Sequence, residues 1–234
     1  MLTSVVFVPQ PPVLVPELAG AAAPETAALR RAVVAAAGRL GARWTALGAH
    51  RCDVVIGAGV VGSFGGFGRD VRVALGPASD GGVDRCLPLA ALVAGWVRGR
   101  CAARASVTAR LVAEDTHPPR CAELGATVRA SLDMDDAPHG LLVLGDGATT
   151  LTAAAPGAFD DRAQQLQEGI VAALGSADVA ALAALDPALC AQLGVGGRVP
   201  WQVAAAAVGA GWRGRLVHHS APYGVGYTVA VWER

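Results

Sequence analysis

The stretch Val5-Val6-Phe7-Val8-Pro9-Gln10-Pro11-Pro12 decides how the chain begins to fold. Val5–Val8 is a short apolar run, rich in β-branched residues, and it predicts a buried strand. The prolines that follow have a fixed φ and no N–H, so the strand must end there. Gln10, held extended between prolines, carries a polar side chain at the strand end. Ligands of open α/β sheets bind beyond the strand ends, so this turn predicts a binding site, although a solvated surface turn explains the stretch equally well.

The rest of the chain alternates between apolar runs typical of buried strands and segments with apolar residues at helical spacing. Further strands are predicted at Asp53–Ile56, Val71–Leu75, Val107–Val112, Gly140–Leu144, Arg215–His218 and Val225–Trp232. Helices are predicted at Pro24–Leu40, Pro88–Cys101, Cys121–Leu132, Asp160–Leu174, Val179–Leu185 and Trp201–Val208. This alternation predicts a single layered α/β domain over residues 1–234, with a central, largely parallel or mixed sheet and helices on both faces.

The composition excludes several classes of protein. Hydrophobic residues make up 53% of the chain and charged residues 16%, with a formal net charge of zero. Without a basic excess to neutralise phosphates, a nucleic-acid partner is not expected. The apolar run at the N-terminus lacks a basic region and is interrupted by prolines, and the apolar segment 199–212 is too short to span a bilayer, so neither a targeting signal nor a membrane span is expected. So few charges leave apolar surface, which is compatible with a homodimer.

The cysteines indicate the cellular compartment. The chain has five, an odd number, and no two of them form a CxxC pair. This pattern argues against a disulfide framework or a zinc ribbon, and it favours a reducing cytoplasm.

The glycine-rich stretch 57–68 follows a predicted strand and matches GxGxxG, the fingerprint of dinucleotide-binding sites. That fingerprint needs a helix to begin inside the motif, and 63–68 is too rich in glycine to be helical. We therefore reject binding of NAD or FAD and interpret the stretch as a flexible loop that forms one wall of a pocket. Phe64 and Phe67 are candidates for lid or packing residues in this loop. Nearby Arg69 and Arg72, and Arg198 beside another glycine-rich loop, are candidates for recognising an anionic ligand, although each fits a solvated surface position better.

Three motifs carry a resemblance to a known family. They are segment 9–17 with its Pro-Gln-Pro-Pro turn, Gly-Asp-Gly-Ala-Thr-Thr-Leu at 145–151, and Ala-Pro-Tyr-Gly-Val-Gly-Tyr at 221–227. In this order the chain resembles, over nearly its whole length, the class III extradiol ring-cleavage dioxygenases, the LigB-type superfamily that includes the Memo-like proteins. The resemblance implies a single α/β domain. For active members it implies an iron(II) site of two histidines and a carboxylate, with a further histidine as acid/base.

The residues that would carry this chemistry are replaced here. Gln10 stands where the family has the first ligand histidine, and Gly57–Gly59 is the predicted equivalent of the second. Thr149 stands where the family has the acid/base histidine, and Ser220 where it has the ligand carboxylate. Amide and hydroxyl oxygens are poor ligands for iron(II), and a threonine is no general base near neutral pH. No cofactor is therefore predicted.

The weak alternative is a rebuilt metal site from His139, His218 and His219. The last two are consecutive near a strand end, so at most one of them faces a given pocket. The polar residues that we expect to line the former pocket are Gln10, Ser63, Asp146, Thr149, Thr150, Ser220 and Tyr223, each of which also fits a turn, cap or packing position.

The sequence thus leaves two functions open. The first is a LigB-like protein that has lost the iron site and binds a small molecule, or a protein partner, in the old crevice. The second is an enzyme that cleaves the ring of an aromatic diol through a non-standard metal site, or a metal-free enzyme that uses Asp146 and nearby hydroxyls.

Overall fold

The computed structural model of the chain describes residues 1–77, 82–134 and 136–234. The strands are β1 (Leu2–Val8), β2 (Arg43–His50), β3 (Val54–Ile56), β4 (Val61–Ser63), β5 (Arg72–Ala74), β6 (Val83–Asp84), β7 (Ser106–Ala113), β8 (His139–Leu144), β9 (Arg213–Ser220) and β10 (Tyr227–Glu233). The helices are α1 (Pro16–Ala19), α2 (Ala27–Ala37), α3 (Leu89–Cys101), α4 (Pro118–Asp133), α5 (Arg162–Ser176), α6 (Val179–Ala183), α7 (Pro187–Gln192) and α8 (Arg198–Val208).

A mixed sheet of seven strands forms the centre of the fold, in the order β3-β7-β2-β8-β1-β10-β9. Its four middle strands, β7, β2, β8 and β1, are parallel, whereas β3, β10 and β9 are antiparallel to their neighbours. A second sheet of three strands has the order β5-β4-β6. The prediction of an α/β domain with a mixed sheet is confirmed, and the separate small sheet was not predicted from the sequence.

Two apolar cores lie on the two faces of the large sheet. Side chains alternate along β1, so Val6 and Val8 join the core that includes α2 and α3, whereas Val5 and Phe7 join the core that includes α4, α5 and α8. All four side chains are buried, which explains why the strand reads as an unbroken apolar run. The prediction of helices on both faces is confirmed.

One strand prediction is wrong in a way that matters for the site. The second strand in sequence is β2, at the middle of the sheet, and not Asp53–Ile56. Residues 54–56 form only the short edge strand β3, and Val55 in it is 60% exposed. Likewise, the predicted strand Val71–Leu75 contributes β5 to the small sheet.

Other boundaries shift by one turn. Helix α2 begins at Ala27, so Pro24 precedes the helix instead of opening it. Helix α4 begins earlier than predicted because His117 caps it, its Nδ1 accepting a hydrogen bond from the Arg120 N–H. Helix α7 was not predicted, and α8 begins at Arg198 rather than at Trp201.

The glycine-rich stretch 57–68 contains β4 and a short 3-10 helix at Phe64–Phe67, and no α-helix begins within it. The prediction that residues 63–68 form no α-helix is therefore confirmed. Phe64 is buried and packs against Phe67, with 6.0 Å between ring centroids, so it anchors the loop as a packing residue. Within the described part of the chain, no helix is both long enough and apolar enough to cross a membrane.

The position of β2 in the fold can be tested with a matched pair of truncations. Leu47→Ala on β2 removes a side chain that is 1% exposed. We expect it to lower the free energy of unfolding by about 2–5 kcal/mol, because a cavity is left in the core. Val55→Ala on β3 should change it by less than about 0.5 kcal/mol. Urea denaturation measures both variants, and equal losses would contradict the assignment of β2 as an interior strand and β3 as an edge strand.

Candidate functional site

The carboxyl ends of the parallel strands meet at one edge of the large sheet, which we call the carboxyl edge. β1 ends there at Val8, β2 at His50, β7 at Ala113 and β8 at Leu144. The antiparallel strand β10 begins at the same edge, since it runs against β1. In open α/β sheets this is the edge at which ligands bind.

The three motifs of the sequence converge at the carboxyl edge. The backbone N–H of Gln10 donates to Oδ1 of Asp146 at 2.9 Å, which joins the turns that follow β1 and β8. The segment after Asp146 then pairs with 224–226, where the Gly147 N–H donates to the carbonyl of Gly226 at 2.8 Å. We call this meeting point of the Gln10, Asp146 and Gly226 turns the junction.

Asp146 contributes the ionisable carboxyl of the junction. Burial raises the pKa of its carboxyl from 3.8 to about 6, and the hydrogen bond from Gln10 opposes that rise. The described residues donate no hydrogen bond to its second oxygen, Oδ2. Burial also raises the pKa of Tyr227, and the nearby charge of Asp146 raises it further. The junction therefore favours a protonated carboxyl at mildly acidic pH, and that form is a hydrogen-bond donor.

A cavity of about 740 Å³ opens beside the junction. Gln10, Ala49, Glu114 and Asp115 line it from the strand ends, and residues from the segment 187–199 close the other side. The carboxamide oxygen Oε1 of Gln10 is buried and accepts no hydrogen bond from the described residues. Buried polar groups are rarely left unpaired, so this carboxamide has hydrogen-bonding capacity that the chain itself does not use.

Arg198 lines the cavity as well, but it is not solvated as predicted. Its side chain is buried, and its Nη1 donates to the carbonyl of Thr116 at 2.8 Å and to Oε1 of Gln202 at 3.0 Å. Its Nη2 donates to the carbonyl of Glu114 at 3.0 Å. The guanidinium thus fastens the loop after β7 to α8, and it is not presented to an anionic ligand in the cavity.

Gln167 on α5 supports the junction, and it was not predicted from the sequence as a site residue. Its Oε1 accepts the N–H of Ala148 at 2.9 Å, and its Nε2 is buried without a described acceptor. Gly147 and Gly226 flank this carboxamide, and a Cβ at either position would collide with it. The only sequence signal was a glutamine on the apolar face of a predicted helix.

Thr149 and Thr150 lie at the carboxyl edge, where their contacts stabilise the wall of the cavity. The Thr149 N–H and the Thr150 hydroxyl both donate to the carbonyl of Leu193, at 2.9 and 3.4 Å. The Thr149 side chain fills the space beside Gly194, which has a φ of 66° and where a Cβ would collide with its hydroxyl. Both threonines therefore hold the segment that closes the cavity.

Ser63 lies elsewhere, in the small sheet. Its hydroxyl donates to Oδ1 of Asp70 at 2.6 Å and accepts the N–H of Gly65 at 2.9 Å, so it caps the 3-10 turn. No hydrogen bond of the described residues links it to the junction. Arg72 is exposed beside Asp70, at 3.7 Å from its carboxylate.

Ser220 and Tyr223 flank the junction on the side of β9. The Ser220 hydroxyl contacts Nε2 of His218 at 3.0 Å. The Tyr223 hydroxyl is buried beside the Glu25 carboxylate. Burial raises the pKa of Tyr223, and the nearby carboxylate of Glu25 raises it further.

The histidines of the weak alternative do not converge. His139 begins β8, at the edge of the sheet opposite to Asp146, and its Nε2 lies 3.0 Å from the Thr45 hydroxyl. His218 and His219 are consecutive on β9, and Nδ1 of His219 lies 3.2 Å from the Thr228 hydroxyl. Among the described residues, no group of three or more His, Cys, Asp or Glu side chains is arranged to hold a metal ion.

The corrected strand order changes one step of the family comparison. The predicted equivalent of the second ligand histidine, Gly57–Gly59, follows the edge strand β3 and not a parallel strand. The strand after β1 in sequence is β2, and its last residue is His50. A histidine therefore stands at that carboxyl end, and the sequence signal for it was a His closing the run from Trp44. One imidazole with the oxygens of Gln10 and Ser220 is still a poor donor set for iron(II), so the residues present do not fit that ion.

The electrostatics of Asp146 can be tested by removing its charge. Because the pKa is higher in the folded state, protonation favours folding, and the stability it contributes is lost as the pH rises from about 4 to about 6. A shift of this size corresponds to about 3 kcal/mol. Asp146→Asn keeps an oxygen to accept the Gln10 N–H and removes the titration. We expect the variant to match the wild type near pH 4 and to be more stable near pH 8, as measured by urea denaturation. A loss of stability that is equal at both pH values would contradict this account.

Comparisons with known proteins place the chain by its fold alone. No protein-family model matches the sequence, and no curated protein matches it. Among solved structures, the chain is similar to the uncharacterized protein JW3007 from Escherichia coli K12, with a TM-score of 0.56 and 11% sequence identity. The match covers 99% of this chain and 100% of the other, so the two proteins share the fold over their whole lengths.

Proposed function

We propose that the protein is a LigB-like protein that binds a small molecule in the cavity at the carboxyl edge, without a ferrous ion. The observation that supports this most is the position of Gln10, a residue that lines a cavity of about 740 Å³ and whose buried carboxamide oxygen accepts no hydrogen bond from the described residues. Gln10 stands where the family that the chain resembles has a ligand histidine, so a neutral hydrogen-bonding group replaces a metal ligand at the same turn.

The charge of the cavity lining supports a neutral or cationic ligand. The carboxylates of Glu114 and Asp115 are exposed at its rim, and Asp146 lies beside it at the junction. The basic side chain of the lining, Arg198, is engaged with carbonyl oxygens of the loop after β7. Two carboxylates against one guanidinium leave a net negative charge in the lining, which repels an anion and favours a cation or a neutral hydrogen-bond donor.

The ligand class can be tested with three probes of similar size: catechol, the cation benzamidine and the anion benzoate. In protein NMR titrations we expect catechol and benzamidine to shift the backbone amides of Gln10 and of residues 194–196, and benzoate to shift them least. Ala188→Trp fills the cavity and should abolish the shifts. Ala172→Trp is the matched control, since Ala172 is exposed on α5 outside the cavity lining. Shifts by benzoate alone, or shifts that persist in Ala188→Trp, would overturn the proposed site.

The alternative, a ring-cleavage enzyme with a non-standard metal site, makes an opposite prediction. After anaerobic incubation with iron(II) and gel filtration, we expect far less than one iron per chain and no oxygen uptake with catechol. Stoichiometric iron together with a ring-opened product would establish the enzyme and reject the first proposal. The residue favouring the enzyme is His50, which closes β2 at the carboxyl edge.

We also propose that the protein works in the reducing cytoplasm. All five cysteines are free, and Cys52 and Cys86 are exposed. Two exposed thiols that lack a partner within the chain suit a compartment in which disulfides do not form.

A homodimer through an edge of the large sheet is a separate proposal. Leu216 on β9 and Val55 on β3 are large apolar side chains, 42% and 60% exposed, on the two edge strands. Edge strands present unpaired backbone groups to a second copy. Sedimentation equilibrium should give twice the chain mass of 23.5 kDa, and Leu216→Arg should then shift it toward the monomer. A single chain mass at all concentrations would reject the dimer.

A further inference from the structure

A second cavity, of about 430 Å³, lies between α2 and α3, away from the residues of the junction. Its walls include Arg30, Arg31, Val34, Ala35, Trp96 and Arg100, and we call it the α2–α3 groove. None of these residues lines the cavity at the carboxyl edge. The groove therefore needs its own explanation, which does not rest on the proposed function.

The α2–α3 groove has an excess of positive charge. Arg31 is exposed and forms no ion pair or hydrogen bond with a described residue. Arg100 stacks over the ring of Trp96, with 5.4 Å from its guanidinium carbon to the ring centroid. Its Nη2 also lies 3.4 Å from the Glu17 carboxylate. Both side chains of that contact are about half exposed, so it is weak.

Arg30 contributes charge, and the chain already uses donors of both its Nη1 and its Nη2 groups. Its Nη2 donates to the carbonyl of Ala23 at 2.6 Å, and its Nη1 contacts the carbonyls of Val13 and Leu14. Burial lowers the pKa of Arg30, and the charges of Arg100 and Arg31 lower it further, against an opposite effect of Glu17. Arg30 is thus close enough to Arg31 and to Arg100 to feel both of their charges, and the Glu17 carboxylate offsets part of that repulsion.

The remaining walls suit an apolar body. Val34 and Ala35 on α2 face the groove together with the ring of Trp96. Trp96 is 4% exposed, and its buried indole N–H finds no acceptor among the described residues. Tryptophan N–H groups usually have a partner when buried, so this indole keeps a donor that the described residues do not use.

We propose that the α2–α3 groove binds a small organic anion: a carboxylate, sulfonate or phosphate group on a flat apolar body. The anionic group lies between Arg31 and Arg100, where guanidinium groups offer paired donors to its oxygens. The apolar body packs against Val34, Ala35 and the exposed margin of Trp96. The positive charge of the groove repels a simple cation. A neutral apolar molecule would pack on the apolar wall but would leave the arginines without a partner.

The probe for this proposal is 8-anilinonaphthalene-1-sulfonate, followed by its fluorescence, with the neutral N-phenyl-1-naphthylamine as its comparison. Arg31→Gln/Arg100→Gln removes both charges from exposed positions, so the fold should be retained. We expect the double variant to bind the sulfonate about tenfold more weakly, since charge-assisted hydrogen bonds are among the stronger ones at a protein surface. Ala35→Trp fills the groove without changing charge and should weaken binding at least as much.

Two controls separate the groove from other sites. Arg120→Gln removes an exposed arginine from α4, outside the groove, and should leave the affinity within about twofold. Ala188→Trp, which fills the cavity at the carboxyl edge, should leave it unchanged as well, so failure of that cavity as a ligand site does not affect this test.

Three results would overturn the proposal. The first is no saturable binding of the sulfonate. The second is equal affinity of the wild type, the double variant and Ala35→Trp. The third is equally tight binding of the neutral probe in the wild type, because the arginines would then contribute nothing to recognition.

Discussion

The hydrogen bond from the Gln10 backbone to the Asp146 carboxyl is the interaction on which the carboxyl edge depends. Between Pro9 and Pro12, Gln10 alone has a backbone N–H, because the other three residues are prolines. That donor is used on Asp146, and the N–H of Gly145 donates to the carbonyl of Val8 at 3.0 Å. Together these bonds fix the end of β1 against the end of β8. The side chain of Gln10 then lines the cavity while its backbone is held by the neighbouring turn.

Local sequence was sufficient for the elements whose apolar pattern is unbroken. β1 and β8 consist mostly of β-branched residues and leucine; β8 was predicted to within one residue, and β1 was predicted with its correct end although it begins three residues earlier, at Leu2. β2 was missed because its centre contains Ala46 and Gly48, small residues with little preference for strands. The reason for Gly48 is tertiary: a Cβ there would come within 2.5 Å of Ala90 on α3. Packing between layers, which a single sequence does not display, decided that strand.

In the site, too, some residues could be predicted from local sequence, whereas others are revealed only by packing. Gln10 and Asp146 were predicted because they follow strand ends, and the structure brings them together. Ser63 was expected to line the same pocket, but it ends β4 of the small sheet, and nothing local in the sequence distinguishes the two sheets. Glu114 follows β7 at the carboxyl edge and was overlooked, although the same rule applied to it. Gln167 reaches the junction from α5, so only the packing of that helix reveals its contact with Ala148.

The charges of the two cavities differ although the chain as a whole is neutral. The cavity at the carboxyl edge is lined by two carboxylates, Glu114 and Asp115, and one arginine, whereas the α2–α3 groove has three arginines and one nearby carboxylate. All basic side chains except the histidines are arginines, since the chain contains no lysine. The linings of the two cavities therefore differ in the sign of their net charge, although the formal net charge of the chain is zero.

The most direct test of the account is an NMR titration of the Asp146 carboxyl carbon together with the backbone amide of Gln10. The account predicts that both signals titrate with one midpoint near pH 6, because burial raises the pKa of Asp146 to about 6 and the amide donates to its Oδ1. A carboxyl midpoint near the ordinary value of 3.8, or a Gln10 amide that does not follow it, would contradict the account.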